Sequence, residues 1–242
     1  MAFRQYLAMT AAEIQNCPRL PANIGWMACH FSPYGTGLSN LPFSLPKNSL
    51  LILNDRIPFF RHDPDQIATQ LYQAAESLRC SGLLLDFQRA PEEDVIQLCQ
   101  QLTSSLPCPV IISREFGKEL DCPVFLPPCP HHVLLADHIL PWKHREIWLD
   151  LAVDAEQIHL TSHGSSVSPV MTYQKSTFIH ADERLHCHYQ IEAEQDSATF
   201  TLWRTPEDIH MLKQEAEESG VYAVVGLYQE MQKPACHTTD RF

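Results

Sequence analysis

LYQAAESLRCSGLLLDFQ, residues 71–88, decides the fold. With the turn before it, Ile67, Leu71, Ala74 and Leu78 recur at helical spacing, and Asp63 stands where a helix cap belongs. After Gly82 three leucines run into Asp86 and, two positions on, Gln88. On a strand, side chains two apart share a face, so Leu84, Asp86 and Gln88 point one way while Leu83, Leu85 and Phe87 point the other. In a closed parallel barrel one of those faces is the lumen, and the carboxyl ends of the strands are where active sites are built. A capping aspartate and a rim glutamine would account for the same two residues without any ligand.

Outward from this stretch the pattern repeats. NIGWMACHF (23–31) reads as a first strand, followed by a loop rich in Gly, Ser, Pro and Asn that suits binding, and SLLILND (49–55) reads as a second. PEEDVIQLCQQLTSSL predicts a helix with Pro91 in its first turn, and PVIIS (109–113) another strand. Strand, helix, strand, helix, strand is the order of a parallel sheet with right-handed crossovers. The proline-rich stretch 122–142 permits only brief strands, VFL and VLLA. EIWLDLAV (146–153) and EQIHLTS (156–162) alternate as strands, and LHCHYQIEAEQ followed by ATFTLWRT predicts an antiparallel hairpin. Near the end Thr205 caps a helix with Pro206 at its first position and Gly220 as its terminator, and VYAVVGLY closes the series. The expectation is an α/β fold, a (β/α)8 TIM-type barrel, reduced or irregular, forming one domain over residues 1–242. It carries an inserted antiparallel hairpin near residues 185–203 and lacks one helix or more between 114 and 160.

Composition narrows the partners. Seventeen basic against 29 acidic side chains give a net charge of -12, which repels phosphate backbones and anionic lipid headgroups, so neither nucleic acid nor membrane is expected. No window stays apolar for about 18 residues, and the start lacks a basic stretch leading into an apolar core. Nine cysteines are odd in number and include no Cys-x-x-Cys pair, as free thiols of a reducing cytoplasm would be. Neither a Walker loop nor the dinucleotide glycine pattern occurs among eight glycines, and no cofactor is expected.

Residues 71–88 resemble the signature of the chitinase-like glycoside hydrolases of family 18, a helix and glycine turn leading into Asp-Gly-x-Asp-x-Asp-x-Glu on a barrel strand. Here Ser81 stands in the place of the first aspartate, Gly82 matches the glycine, Leu84 replaces the second aspartate, Asp86 matches the third, and Gln88 replaces the glutamate. RTPEDIHMLKQEAEESGVYAVVGLY (204–228) is similar to that family's last helix and strand, with Gly226, Leu227 and Tyr228 near the place of a sugar-stacking tryptophan. A third likeness, MTY at 171–173 before Gln174, falls in no strand pattern and carries no weight. The resemblance implies a small glycan or oligosaccharide as ligand. It also implies a reaction in which the terminal glutamate protonates the leaving oxygen while the aspartate before it orients the substrate's acetamido group. An amide has no proton to give at any accessible pH, so Gln88 cannot fill that role.

Two functions from different classes follow, with a third beside them. One is a non-hydrolytic carbohydrate-binding protein that uses Asp86, Gln88 and rim aromatics, for which Trp26, Tyr34, Trp203 and Tyr228 are the candidates. The second is an active glycosidase with relocated acids, Asp55 and Glu115 joining Asp86 at the strand ends. The third is a structural or assembly protein on the same scaffold. His186 and His188 would share a strand face and are the weak candidates for a metal, against the commoner reading of half-exposed strand histidines. Oligomeric state is not legible.

Overall fold

In the computed structural model residues 3–170 and 178–231 are described; MTY, Gln174 and Cys236 lie outside them. Seven parallel strands come first in the barrel. These are β1 (Arg4–Met9), β2 (Ile24–Phe31), which follows the short helix α1 (Ala11–Asn16) and has the short antiparallel β3 (Leu38–Ser39) on its edge, β4 (Leu50–Asn54), β5 (Gly82–Asp86), β6 (Val110–Ser113), β7 (Val124–Leu126) and β8 (Ile147–Leu151). Five antiparallel strands then form a separate sheet, β9 (Ala155–Thr161), β10 (Gly164–Pro169), β11 (His180–Asp182), β12 (Cys187–Ala193) and β13 (Ser197–Trp203). β14 (Ala223–Leu227) is the eighth barrel strand and shuts the ring, pairing with β8 on one side and β1 on the other, while β1 also pairs with β2.

The barrel closes because its strands are apolar on both faces. Tyr6, Ala8, Leu50, Ile52, Leu84, Ile111, Phe125, Trp148, Ala223 and Val225 fill the lumen. Tyr6 stacks on Trp148 there, with ring centroids 5.3 Å apart. The alternate side chains face outward. Leu51, Leu53, Leu83, Leu85, Phe87 and Ile112 pack under α2 (Pro64–Leu78) and α3 (Glu93–Ser105), whose inner stripes are Ile67, Leu71 and Leu78, and Val95, Leu98 and Leu102. Each of these leucines removes enough apolar surface from water to contribute about 2 kcal/mol. Gly25 lets β2 lie close to its neighbour, since a Cβ there would meet the Ile52 side chain at 2.7 Å.

Several expectations change. β1 precedes the strand read as first, so 23–31 is the second strand of the ring; Arg4 and Gln5 dilute the apolar run that marks it. Asp63 does cap α2, accepting from the Asp65 N–H, but Pro91 lies before the Glu92 cap of α3 and not in its first turn. VLLA is not a strand: Leu134 caps the short α5 (Leu135–Ile139). The crossovers after β6 and β7 are indeed cut down, to α4 (Arg114–Gly117) and α5. The inserted element is larger than a hairpin near 185–203, because 155–169 and 180–182 add three strands to it. α6 (Pro206–Glu218) has the Thr205 cap and Pro206 start that the sequence predicts, and the short α7 (Tyr228–Met231) follows β14. The eight described cysteines are free, and burial pushes the Cys29 and Cys99 thiols up to about 12. Among the described residues no helix is long and apolar enough to cross a membrane.

Candidate functional site

β5 points Leu84 into the lumen and sets Asp86 above it, at the carboxyl end. Gln88 follows just past the strand, on the rim, where its Nε2 donates to Asp86 Oδ1 at 3.3 Å. Burial raises the Asp86 carboxyl, the nearby Asp55 charge adds to this, and the Gln88 amide opposes it.

The turn that carries Gln88 is held from below. Both carboxylate oxygens of Asp55 accept the Gln88 N–H at 3.0 Å, Oδ2 also accepts the Arg89 N–H at 2.7 Å, and Arg89 Nε returns a bond to the Asp55 carbonyl. Asp55 is nearly buried, and this geometry gives it an anchoring role. Ser113 stitches the neighbouring strand to the same turn, accepting from Phe87 N–H and donating to the Leu85 carbonyl, both at 2.9 Å. Its hydroxyl is occupied.

Across the mouth stands a residue the sequence reading passed over. Asp150 is next but one to Trp148 on β8, so the strand that puts the indole into the lumen puts a carboxyl above it. Asp86, Gln88, Ser113, Glu115, Pro127 and Asp150 are among the walls of one cleft of about 310 Å³ at the strand ends. Burial, then the charges of Asp86, Glu230 and Asp154, push the Asp150 carboxyl up to about 8 against the single help of the Leu151 N–H. The signal was in view: WLDL repeats the form of LLLDF, an apolar run delivering one acid to a lumen-facing position.

Glu115 also reaches the cleft, but as an exposed carboxylate paired with Arg114 at 2.9 Å and Lys118 at 2.6 Å. The Lys118 bond foremost, with Arg114, holds its carboxyl below the usual range, so it stays ionised near neutrality. None of the four candidate aromatics lines this cleft. Trp26 packs outward against the α2–α3 core and donates Nε1 to the Asn40 carbonyl at 2.8 Å. Tyr34 is exposed in the loop after β2, and Trp203 is buried at the end of β13 with the His188 ring stacked on it. Tyr228 lies in a different hollow, its hydroxyl 3.4 Å from Cys17 Sγ.

The histidines part company. His186 precedes β12 in a left-handed turn and reaches Glu215, whereas His188 reaches Asp208, each at 2.8 Å, at opposite ends of α6. Among the described residues no group of three or more His, Cys, Asp or Glu is placed to hold a metal ion. A tighter cluster sits where the inserted sheet joins the barrel. There His132 Nδ1 lies 2.6 Å from Glu156 Oε1, with the buried His131 on the same carboxylate and 3.5 Å from Asp154. Burial alone would raise the Glu156 carboxyl, but the two histidines outweigh it and hold it at about 2. Arg204, buried beside them, donates to the Cys129, Pro130, Leu185 and His186 carbonyls. This is a joint, built of paired groups.

No family model matches the chain, and no curated protein does. Solved structures do. A chitinase from Chromobacterium violaceum superposes with a TM-score of 0.60 at 10% identity, over 97% of this chain and 96% of its own. The spore cortex-lytic enzyme SleL of Bacillus cereus gives 0.57 at 9% identity, over 96% of this chain and 71% of its own. A mutant GH18 chitinase from Cycas revoluta, in complex with (GlcNAc)4, gives 0.57 at 11% identity, over 92% of this chain and 94% of its own. With these superpositions and the closed ring of eight parallel strands, the protein has the (β/α)8 fold of the chitinase-like, family 18 glycoside hydrolases.

Proposed function

We propose that the protein binds a small N-acetylated glycan fragment in the cleft between Asp86 and Asp150, and that residue 88 takes no part in cutting it. The observation that carries this reading is the Gln88 side chain on the cleft rim with its amide on Asp86. Two carboxyl groups and an amide converging on one hollow supply acceptors and donors for sugar hydroxyl and acetamido groups. The hollow, at about 310 Å³, sits at the low end of the range of ligand pockets, roughly 300–1,000 Å³, and suits a fragment more than a long chain. Chitinases of the same fold held with (GlcNAc)3 and (GlcNAc)4 support the choice of ligand class.

Thermal shift and calorimetric titration with (GlcNAc)3 test it. Saturable binding that raises the melting temperature, and that falls at least tenfold in Asp86→Ala, is the expected result. Absence of any shift at millimolar (GlcNAc)3, or a shift indifferent to Asp86, would remove the reading.

A further inference from the structure

We propose that Asp150, on the wall of the cleft across from Asp86, is the proton donor of this site, in the role that Gln88 cannot fill. This rests on the reading of the cleft as the glycan site. β5 and β8 stand three places apart in a ring of eight, nearly opposite, so a glycosidic oxygen lodged in the cleft would have one carboxyl on either side.

The surroundings assign the two roles differently. Burial raises the Asp86 carboxyl, and the N–H it receives from Gln88 opposes that by favouring the ionised form. Asp150 meets carboxylates from three directions: Asp86 on β5, Glu230 on α7 and Asp154 in the turn after β8. Two further charged groups share the cleft, Arg114 and Glu115, and they are spent on each other at 2.9 Å. His131 leans on Asp154 and Glu156, on the far side of that turn. With no cation facing it among these neighbours, Asp150 keeps its proton up to about pH 8. A buried carboxyl set among like charges, facing one that accepts an amide N–H, offers an acid and a base to the same cleft.

The step balances with water as the only co-reactant. The Asp150 proton goes to the leaving glycosidic oxygen as the bond from that oxygen to the anomeric carbon breaks. Water attacks that carbon and gives its proton to Asp86, and exchange with solvent restores both carboxyls. Asp55 and Glu115 are not needed.

Two measurements test the donor. Infrared spectra at about pH 7 should show a carboxylic-acid carbonyl band that is missing from Asp150→Asn; absence of such a band in the wild type overturns the proposal. Release of nitrophenol from p-nitrophenyl chitobioside should fall as pH rises through about 8 and drop at least ~100-fold in Asp150→Asn, well beyond any loss of (GlcNAc)3 affinity in the same variant. Binding of (GlcNAc)3 with no turnover, or turnover indifferent to Asp150, overturns the donor and leaves the glycan reading standing. The band without any (GlcNAc)3 binding overturns the glycan reading and the glycosidic role of Asp150 together.

Discussion

Asp150 and Glu156 are six residues apart, and the molecule treats their charges in opposite ways. At the barrel mouth Asp150 is buried among like charges and pushed up to about 8; at the joint with the inserted sheet Glu156 is clasped by two histidines and held at about 2. A carboxyl that pairs in the folded state supports the fold, whereas one that is buried among its own kind costs stability and persists where chemistry uses it. On the proposal above, the joint is a structural site and the mouth a poised one. The same logic sorts Asp55, whose oxygens are filled by backbone N–H groups, from Asp86, which keeps an open side toward the cleft.

The largest effect that would sharpen this contrast is a gain. Gln88→Glu places an ionisable acid back on the rim, and in the Asp150→Asn background it should raise turnover of p-nitrophenyl chitobioside by about 100-fold. A rate that does not change would mean that the mouth no longer orients a sugar.

Stability should then respond to pH in opposite directions at the two sites. Asp150 has an unfolded value near 3.8 and a folded value near 8, so the folded state binds the extra proton between them. Its contribution is complete below about pH 4 and is lost as pH rises toward 8, at up to ~1.4 kcal/mol per pH unit. Asp150→Asn should accordingly flatten the decline, with a higher urea midpoint than the wild type at pH 8 and little difference at pH 4. Equal slopes in the two proteins would contradict the assignment. Glu156 runs the other way: its support is present above its ordinary 4.5 and is lost as pH falls toward 2. Glu156→Gln should lower stability by about 2 kcal/mol at neutral pH and by much less near pH 3. Urea melts at both pH values check it.

The smallest effect belongs to the aromatics. Trp26→Phe removes an indole that packs outward and bonds Asn40, so (GlcNAc)3 affinity should change by less than about twofold, read by calorimetry. A tenfold loss would return the indole to the ligand site.

Legibility followed burial. The barrel could be read because strands covered on both faces become continuous apolar runs, as LLIL and GLLL do, and because Asp63 and Thr205 announce their helices by capping chemistry. β1 was hidden by Arg4 and Gln5 at its start, and α4 and α5 are too short for periodicity to show. Asp86 and Gln88 were legible from a motif. Asp150 was not, because its significance lies in what stands across the lumen, and no spacing along the chain encodes that. Trp203 and Tyr228 drew notice for being aromatic, a property that does not say whether a ring faces a cleft or a neighbouring strand.

The most direct test is one carbon-13 NMR titration of the labelled Asp and Glu carboxyls, assigned through Asp150→Asn and Glu156→Gln. The expected result is an Asp150 midpoint near pH 8 and a Glu156 midpoint near pH 2 in the same protein. An Asp150 carboxyl that titrates near 4, like an ordinary surface aspartate, would contradict the account of the mouth.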